Sequence, residues 1–169
     1  MEPIPDKSLL TTESIWSALE NVKDPEIPVL NVVEMGMISR LTFDSSSNSA
    51  AIYFLPTFVG CPALNYIKNN IKQAVEELGI NTDVILDSET QWNSDRITPN
   101  AKLKLEKFGI APPVELKEEE LTLEQLDRVR CPHCHSTDTT LRSSFGSTLC
   151  RAIRFCFNCK QGFEQFKPL

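Results

Sequence analysis

Two pairs of cysteines with the same internal spacing lie near the carboxyl-terminal end of the chain. Cys131 and Cys134 form one C-x2-C pair, Cys156 and Cys159 form the other, and 21 residues separate the two pairs. Four thiolates at this spacing can complete a closed tetrahedral shell around one ion, which leaves no position for a catalytic water. The sequence therefore predicts a structural zinc site, with iron as the alternative ion.

Two histidines lie beside the first cysteine pair and are the competing ligands. His133 falls between the two cysteines and His135 follows them directly. Because four cysteines are available, we interpret both histidines as bystanders. A tail of 39 residues, 131–169, buries too little surface to fold unaided, which explains the need for a metal.

A fifth cysteine, Cys61, lies between a strand pattern and a helix pattern. Residues 51–55 form a short apolar run, and apolar residues recur at spacings of three and four from Leu64 onward. Pro62 suits the first helical position, so we expect Cys61 at or beside the N-cap, where backbone N–H groups stabilise a thiolate. The alternative is a buried structural thiol, and the context favours a functional one.

The sixth cysteine, Cys150, leaves two interpretations open. A thiol packed between ribbon strands is the simpler one. The sharper hypothesis is a thiol that acts together with Cys61 to hold or pass on a soft metal or a cluster, kept ionised by neighbouring arginines such as Arg151.

The elements that must position these residues follow from periodicity and capping signals. Thr11-Thr12 predicts the start of a first helix that ends before Asp24-Pro25, and Thr98-Pro99 the start of another that reaches Phe108. Strands are predicted at 37–43, 50–55 and 82–86.

This order of elements predicts an α+β fold, with a small three-stranded sheet that carries helices on one face, followed by a four-cysteine zinc-ribbon β module. We expect the α+β domain to span residues 1–112, a linker 113–130 and the ribbon 131–169.

Composition narrows the class of protein. Of the net charge of −6, the last 39 residues carry +3, which leaves −9 for the rest and argues against nucleic acid as the main partner. No apolar run approaches the length of a membrane span, and the first residues lack a signal-peptide pattern. We therefore expect a cytoplasmic protein whose cysteines serve as ligands or reactive thiols rather than in disulfides.

Three stretches carry a family resemblance. Residues 24–31 (DPEIPVLN), 34–38 (EMGMI) and 60–62 (GCP) resemble the SufT-type domain of iron–sulfur assembly factors, over roughly residues 11–110. With the two C-x2-C pairs and residues 145–148 (FGST), the whole chain resembles the PaaD family, accessory subunits encoded with the phenylacetyl-CoA ring-epoxidase system.

The resemblance implies a non-catalytic maturation role. The expected activity is assembly or insertion of an iron–sulfur cluster into the [2Fe–2S] reductase component of the epoxidase. It implies that Cys61 is the reactive cysteine, near a signature loop formed by Asp24, Pro25 and Glu26, with Thr57 as the retained hydroxyl of the segment before it. The implied partners are the epoxidase subunits and the iron–sulfur assembly machinery, with a transient iron or cluster as cargo.

Three other functions compete with this one. A structural or regulatory subunit of the epoxidase would need no metal transfer. A thiol enzyme would use Cys61 as nucleophile, although neither histidine lies in the α+β domain. A nucleic-acid module would use the basic, phenylalanine-rich ribbon. The exposed edges of a three-stranded sheet would also permit a homodimer.

Overall fold

The computed structural model describes residues 10–58, 60–114 and 129–168. The chain divides into two compact units, 1–92 and 93–169, and each unit is described by itself below.

The first unit is built on a three-stranded sheet. Its strands are β1 (Ile38–Asp44), β2 (Ser49–Phe54) and β3 (Asn81–Leu86), in the order β1-β2-β3. β1 and β2 form an antiparallel hairpin, whereas β2 and β3 run parallel. A parallel pair needs a crossover, and helix α2 (Leu64–Glu76) provides it. The predicted three-stranded α+β architecture is confirmed.

Two helices supply the apolar core over this sheet. Helix α1 (Thr12–Leu19) begins with a capping box between Thr11 and Ser14, as the hydroxyl before an acidic first turn predicts. It ends at Leu19, earlier than the expected stop at Asp24-Pro25. Leu30 and Val32, between α1 and β1, are fully buried in this core. The other fully buried side chains include residues of both helices and of β2: Ile15, Leu19, Ile52, Phe54, Ile67, Ile71 and Val75.

The second unit begins with a 3₁₀ turn (Ser94–Arg96) and helix α3 (Pro99–Phe108). Thr98 caps α3 through a hydrogen bond from the N–H of Ala101 to its hydroxyl, and Pro99 occupies the first turn. Gly109 ends the helix with φ of 91°, a left-handed conformation that side chains with a Cβ rarely adopt. This helix was predicted from Thr98 to Phe108 and is confirmed.

A four-stranded sheet completes the second unit. Its strands are β4 (Ile110–Ala111), β5 (Thr139–Ser143), β6 (Arg151–Cys156) and β7 (Gly162–Phe166), in the order β4-β7-β6-β5. β5, β6 and β7 form an antiparallel meander, and β4 adds to β7 in parallel.

The α+β domain boundary at residue 112 stays a prediction. The chain divides into compact units after Trp92. Within the second unit, Ile110 and Ala111 pair with Glu164 and Gln165, which ties β4 to the ribbon strands. Residues 115–128 of the predicted linker lie outside the described residues.

No helix among the described residues is long and apolar enough to span a membrane.

Candidate metal centre and thiol site

The four cysteines of the two C-x2-C pairs come together in space. Their Sγ atoms all lie within 4.8 Å of one another. The Sγ atoms of Cys131 and Cys159 are 3.7 Å apart, and those of Cys134 and Cys156 are 3.5 Å apart. A tetrahedral Zn²⁺ with Zn–S bonds of about 2.3 Å would require S···S distances of about 3.8 Å. The four sulfurs therefore fit a single zinc ion.

The backbone turns of the two pairs have the same construction. The N–H of Cys131 donates to the carbonyl of Ser136, and the N–H of Cys156 donates to the carbonyl of Gln161, both at 2.9 Å. The residue after each second cysteine, His135 or Lys160, has φ of 60°. Each turn thus points two sulfurs to one side, which is how a closed four-sulfur shell is assembled from two local segments.

Polar groups around Cys134 favour its ionised form, whereas burial raises the pKa of the Cys131 and Cys159 thiols. The side-chain amide of Asn158 donates to Sγ of Cys134 at 3.5 Å. This contact and a backbone N–H from Ser136 lower the pKa of the Cys134 thiol to about 6. Such N–H···S contacts orient thiolate ligands, and neither the cysteine spacing nor the composition pointed to Asn158.

The two histidines stand outside this cluster. Nδ1 of His135 lies 3.2 Å from Oε1 of Glu106, and its side chain is mostly exposed. His133 is exposed. Among the described residues, the four cysteines are the one group of three or more metal-ligating side chains close enough to share an ion.

A small apolar core joins the metal centre to the sheet. Cys131 and Cys156 are completely buried, and they pack with Ala111, Val129 and Phe163. A shell of four thiolates has no open position for substrate or water, which is the arrangement of a structural zinc site.

The Asp24 segment of the first unit folds into a closed loop. One hydrogen bond closes the loop of residues 22–32: the N–H of Val32 donates to the carbonyl of Val22 at 3.0 Å. Asp24 is buried, and its Oδ1 accepts the N–H groups of Glu26 and Ile27, each at 2.8 Å. This carboxylate therefore organises the loop from within, rather than lying in a solvated turn.

Further hydrogen bonds from side chains hold residues 31–35, at the end of this loop and just after it. Asn31 and Glu34 exchange hydrogen bonds between side chain and backbone, with 2.8 Å from the N–H of Glu34 to Oδ1 of Asn31. The indole N–H of Trp92 donates to the carbonyl of Met35 at 2.8 Å, and Trp92 is buried. Two of the three stretches that carry the family resemblance, residues 24–31 and 34–38, are thus held in place by these hydrogen bonds.

Cys61 lies two residues before the N-cap of helix α2, not on it. The N-cap is Ala63, which has no side-chain capping bond, and the helix begins at Leu64. The N–H of Leu64 donates to the carbonyl of Cys61 at 3.2 Å, so residues 61–64 form a turn. Pro62 occupies the second position of that turn, because its fixed φ suits a turn as well as a helix start. The predicted placement of Pro62 at the first helical position is therefore wrong by two residues.

The electrostatics around Cys61 oppose the thiolate. Burial raises the pKa of the Cys61 thiol above its ordinary value, and the carboxylates of Glu26 and Asp24 raise it further. The N–H groups of Ala63 and Leu64 act in the opposite direction without outweighing these effects. The start of the helix thus assists the thiolate as predicted, but the net effect is a protonated, half-buried thiol close to two carboxylates.

A groove of about 420 Å³ lies beside this loop. One wall is formed by residues of the segment 21–28, and the other is the face of α2 that carries Tyr66 and Asn70. Asp24 lines the groove and also acts on the thiol of Cys61. Thr57, the predicted hydroxyl of the site, is half-buried.

Cys150 lies in the second unit, in a loop that is fixed by a charged network. Its Sγ is 3.1 Å from Oγ1 of Thr148, and the thiol is half-buried. Nη1 of Arg151 donates to Oε2 of Glu164 at 2.8 Å, and the N–H of Ser147 donates to Oε1 of the same carboxylate at 2.7 Å. Residues 145–148 (FGST) are part of the family resemblance, but no sequence pattern indicated that Glu164 holds this segment.

The reactivity of Cys61 gives a first prediction. Replacing Glu26 with glutamine removes a negative charge that raises the pKa of the thiol, so the pKa falls and more thiolate is present near neutral pH. We expect alkylation of Cys61 by iodoacetamide to become about twofold to fivefold faster. The rate is measured by mass spectrometry of the Cys61 peptide as a function of pH. Glu76→Gln, at the far end of α2, is the matched control and leaves the rate unchanged. An unchanged rate in Glu26→Gln would contradict the electrostatic assignment.

Both parts of the chain match known protein families. Residues 12–84 match the family model of iron–sulfur cluster assembly proteins. Residues 116–167 match the model of the PaaD zinc beta ribbon domain. A relative from Escherichia coli K12, whose name describes it as a subunit of a "Putative 1,2-phenylacetyl-CoA epoxidase", is 37% identical over 154 residues, which is 90% of each chain. The chain belongs to the PaaD family.

Solved structures match the first part of this PaaD-family chain. A domain of unknown function (DUF59) from Bacillus anthracis superposes with a TM-score of 0.50 at 27% identity, over 55% of this chain and 89% of that one. A conserved hypothetical protein from Thermotoga maritima matches 60% of this chain and 96% of its own at 29% identity, with a TM-score of 0.48. The family models, the Escherichia coli relative and the Bacillus anthracis domain confirm the predicted resemblance, the α+β fold and the zinc-ribbon domain.

Proposed function

We propose that the chain is an assembly factor that inserts an iron–sulfur cluster into the phenylacetyl-CoA ring epoxidase, and that its client is the [2Fe–2S] reductase component. The observation that carries the proposal is the half-buried thiol of Cys61, whose pKa is raised by burial and by the charges of Glu26 and Asp24, within the part of the chain that matches iron–sulfur assembly proteins. The name of the Escherichia coli relative supports the epoxidase as the destination.

Cys61 supplies a single thiolate to the cluster, which is cargo in this proposal. Iron–sulfur clusters are held by several ligands, commonly four cysteines. Among the described residues, no group of three or more ligating side chains includes Cys61. The remaining ligands therefore come from the carrier that delivers the cluster and from the client that receives it. An incomplete shell suits transfer, because the client can take the cluster over by completing it.

The raised pKa of Cys61 fits a thiol that is ionised only when cargo arrives. A metal ion displaces the thiol proton, and ligand binding to iron therefore releases protons. Until then, the protonated thiol is a weak nucleophile, which protects it from oxidation. This behaviour favours a non-catalytic carrier over a thiol enzyme, since an enzyme nucleophile needs a lowered pKa or an adjacent base.

The four-cysteine centre has a separate, structural role in this proposal. Its zinc would be held by Cys131, Cys134, Cys156 and Cys159 and would fix the fold of the second unit. A cytoplasmic location belongs to the proposal too, because reduced thiols persist there. The six cysteines all lie among the described residues, and none of them forms a disulfide.

The test is the cluster content of the reductase. The client is purified from cells that lack the chain, that carry it, or that carry Cys61→Ala, and iron and acid-labile sulfide per protein are measured. We expect a deficit of about tenfold without the chain, restored by the natural sequence but not by Cys61→Ala. Cys150→Ala is the matched control for loss of a half-buried thiol, and it restores loading if Cys61 acts without it.

Equal loading in all strains would overturn the assembly role. The second candidate would then lead, namely a structural component of the epoxidase complex, which the name of the Escherichia coli relative favours. That role predicts normal cluster content but a missing or smaller epoxidase complex when the chain is absent. Size-exclusion chromatography of the complex from the same strains separates the two.

A further inference from the structure

The two edges of the first sheet are built differently. β1 carries a register shift between Ile38 and Arg40. The strand also carries two charged residues, Arg40 and Asp44. The guanidinium of Arg40 also stacks on the ring of Tyr53 at 3.8 Å. Bulges and charges are the devices by which natural sheets block pairing at an edge. The β1 edge is therefore protected.

The β3 edge has fewer of these devices, since it carries no register shift and its one charge is Asp83. Its register with β2 is regular over all six residues, and its sequence, NTDVIL, contains neither a basic residue nor a proline. Ile85 and Leu86 are 39% and 47% exposed. In the part of the chain that the structure describes, β3 pairs with β2 on one side and with no strand on the other. A regular, open edge that ends in two exposed apolar residues is a template for another strand.

We propose that β3 pairs with β3 of a second copy, antiparallel across a two-fold axis, and joins two three-stranded sheets into one of six strands. The argument for a second copy is that the strand is complementary to itself in one register. A two-fold axis perpendicular to the sheet brings residues of the same face opposite each other.

The single charge of the strand selects that register. Burial alternates along β3, so Thr82 and Val84 face the core whereas Asp83 and Ile85 face the other way. An axis through residue 83 sets the two Asp83 carboxylates opposite each other, and an axis through residue 85 sets Asp83 opposite Asp87. Like charges directly opposite across strands are destabilising. An axis through Val84 avoids both clashes, because it sets Asp83 opposite Ile85 and Thr82 opposite Leu86.

The same register covers the exposed apolar side chains. Leu86 comes to lie beside Thr82 and Val84 of the second copy, and the apolar layer under α2 continues across the axis. In this register residues 82–86 of the two strands pair over about 17 Å, which is a small interface, so we expect a dimer that dissociates at micromolar concentration.

This pairing also determines where the two Cys61 segments of the dimer lie relative to each other. β2 and β3 are parallel and end on the same side of the sheet, and Cys61 follows the end of β2. Antiparallel pairing of two β3 strands therefore puts the two Cys61 segments at opposite ends of the six-stranded sheet. Each copy handles cargo by itself, and a cluster bridged between two Cys61 side chains is incompatible with this dimer.

Sedimentation velocity of the full chain over a range of concentrations tests the proposal. We expect reversible dimerisation, weakened about tenfold by Ile85→Asp, which sets two pairs of carboxylates opposite each other across the axis. Ile85→Lys is the discriminating variant, because a lysine opposite Asp83 retains the dimer. The double variant Asp83→Lys/Ile85→Asp exchanges the charges and restores it. Thr42→Asp, an exposed position of β1, is the matched control and leaves the dimer intact.

Other outcomes overturn the proposal. A natural chain that stays monomeric at all concentrations excludes the second copy as the occupant, even if Ile85→Asp impairs contact with another protein. Equal weakening by Ile85→Asp and Ile85→Lys excludes the Val84 register. Dissociation by Thr42→Asp alone moves the interface to β1. Far-UV circular dichroism of each variant separates loss of pairing from loss of folding. None of these results depends on cluster transfer, so the proposed function is tested separately.

Discussion

Cys156→Ser will release the metal and unfold the second unit. Cys156 is one of four sulfurs that lie within 4.8 Å, and it is completely buried in the small core of the ribbon. Structural zinc contributes about 10–16 kcal/mol to the folding of comparable small domains, far more than this core can replace. We expect metal content to fall from one ion per chain to none, and a chelator to have the same effect on the natural sequence.

The positions of the two tryptophans allow unfolding of the second unit to be distinguished from unfolding of the first. Both tryptophans, Trp16 and Trp92, lie in the first unit. Tryptophan fluorescence should therefore stay native in Cys156→Ser, while limited proteolysis cuts the chain after residue 93. Cys150→Ser is the matched control, because that thiol stands outside the four-sulfur group. A full complement of metal in Cys156→Ser, or a protease-resistant ribbon without metal, would contradict the assignment.

Asp24→Ala will destabilise the first unit by about 2–4 kcal/mol, because it leaves two N–H groups of a buried loop without their acceptor. These groups belong to Glu26 and Ile27, and each is 2.8 Å from Oδ1 of Asp24. A buried N–H without a partner costs about 1–3 kcal/mol. Urea unfolding followed by tryptophan fluorescence measures the loss, since both tryptophans belong to this unit.

The control for this prediction is Asp24→Asn, which keeps an oxygen acceptor at the same place. We expect it to recover more than half of the lost stability, because its carbonyl oxygen can still accept both N–H groups. Equal destabilisation by alanine and asparagine would mean that the charge, rather than the hydrogen bonds, holds the loop. If neither variant loses stability, the hydrogen bonds of Asp24 do not hold the loop.

Local patterns were enough to predict much of the fold. Helix α3 was predicted from Thr98 to Phe108 because capping threonine, Pro99 and Gly109 all act within a few residues. The three strands of the first sheet were predicted to within a residue or two for the same reason: alternation and turn residues are short-range signals. The start of helix α2 was the exception, because Pro62 satisfies a turn as well as a helix start.

The pairing of β4 could not be predicted in this way. Residues 110–111 form a strand only by pairing with β7, far later in the chain. Nothing in Ile110-Ala111 itself signals that partner. Pairing between distant segments depends on tertiary structure.

The sequence by itself determined which four cysteines come together, because the C-x2-C spacing is a local constraint that brings the two sulfurs of each pair close to each other. It also determined the family, through short stretches whose order along the chain is fixed. Only the tertiary structure decided the state of the thiol site. Burial of Cys61, and two carboxylates from a loop much earlier in the chain, raise a pKa that the start of a helix would have lowered. Charges and desolvation act through space, and a sequence records only neighbours along the chain.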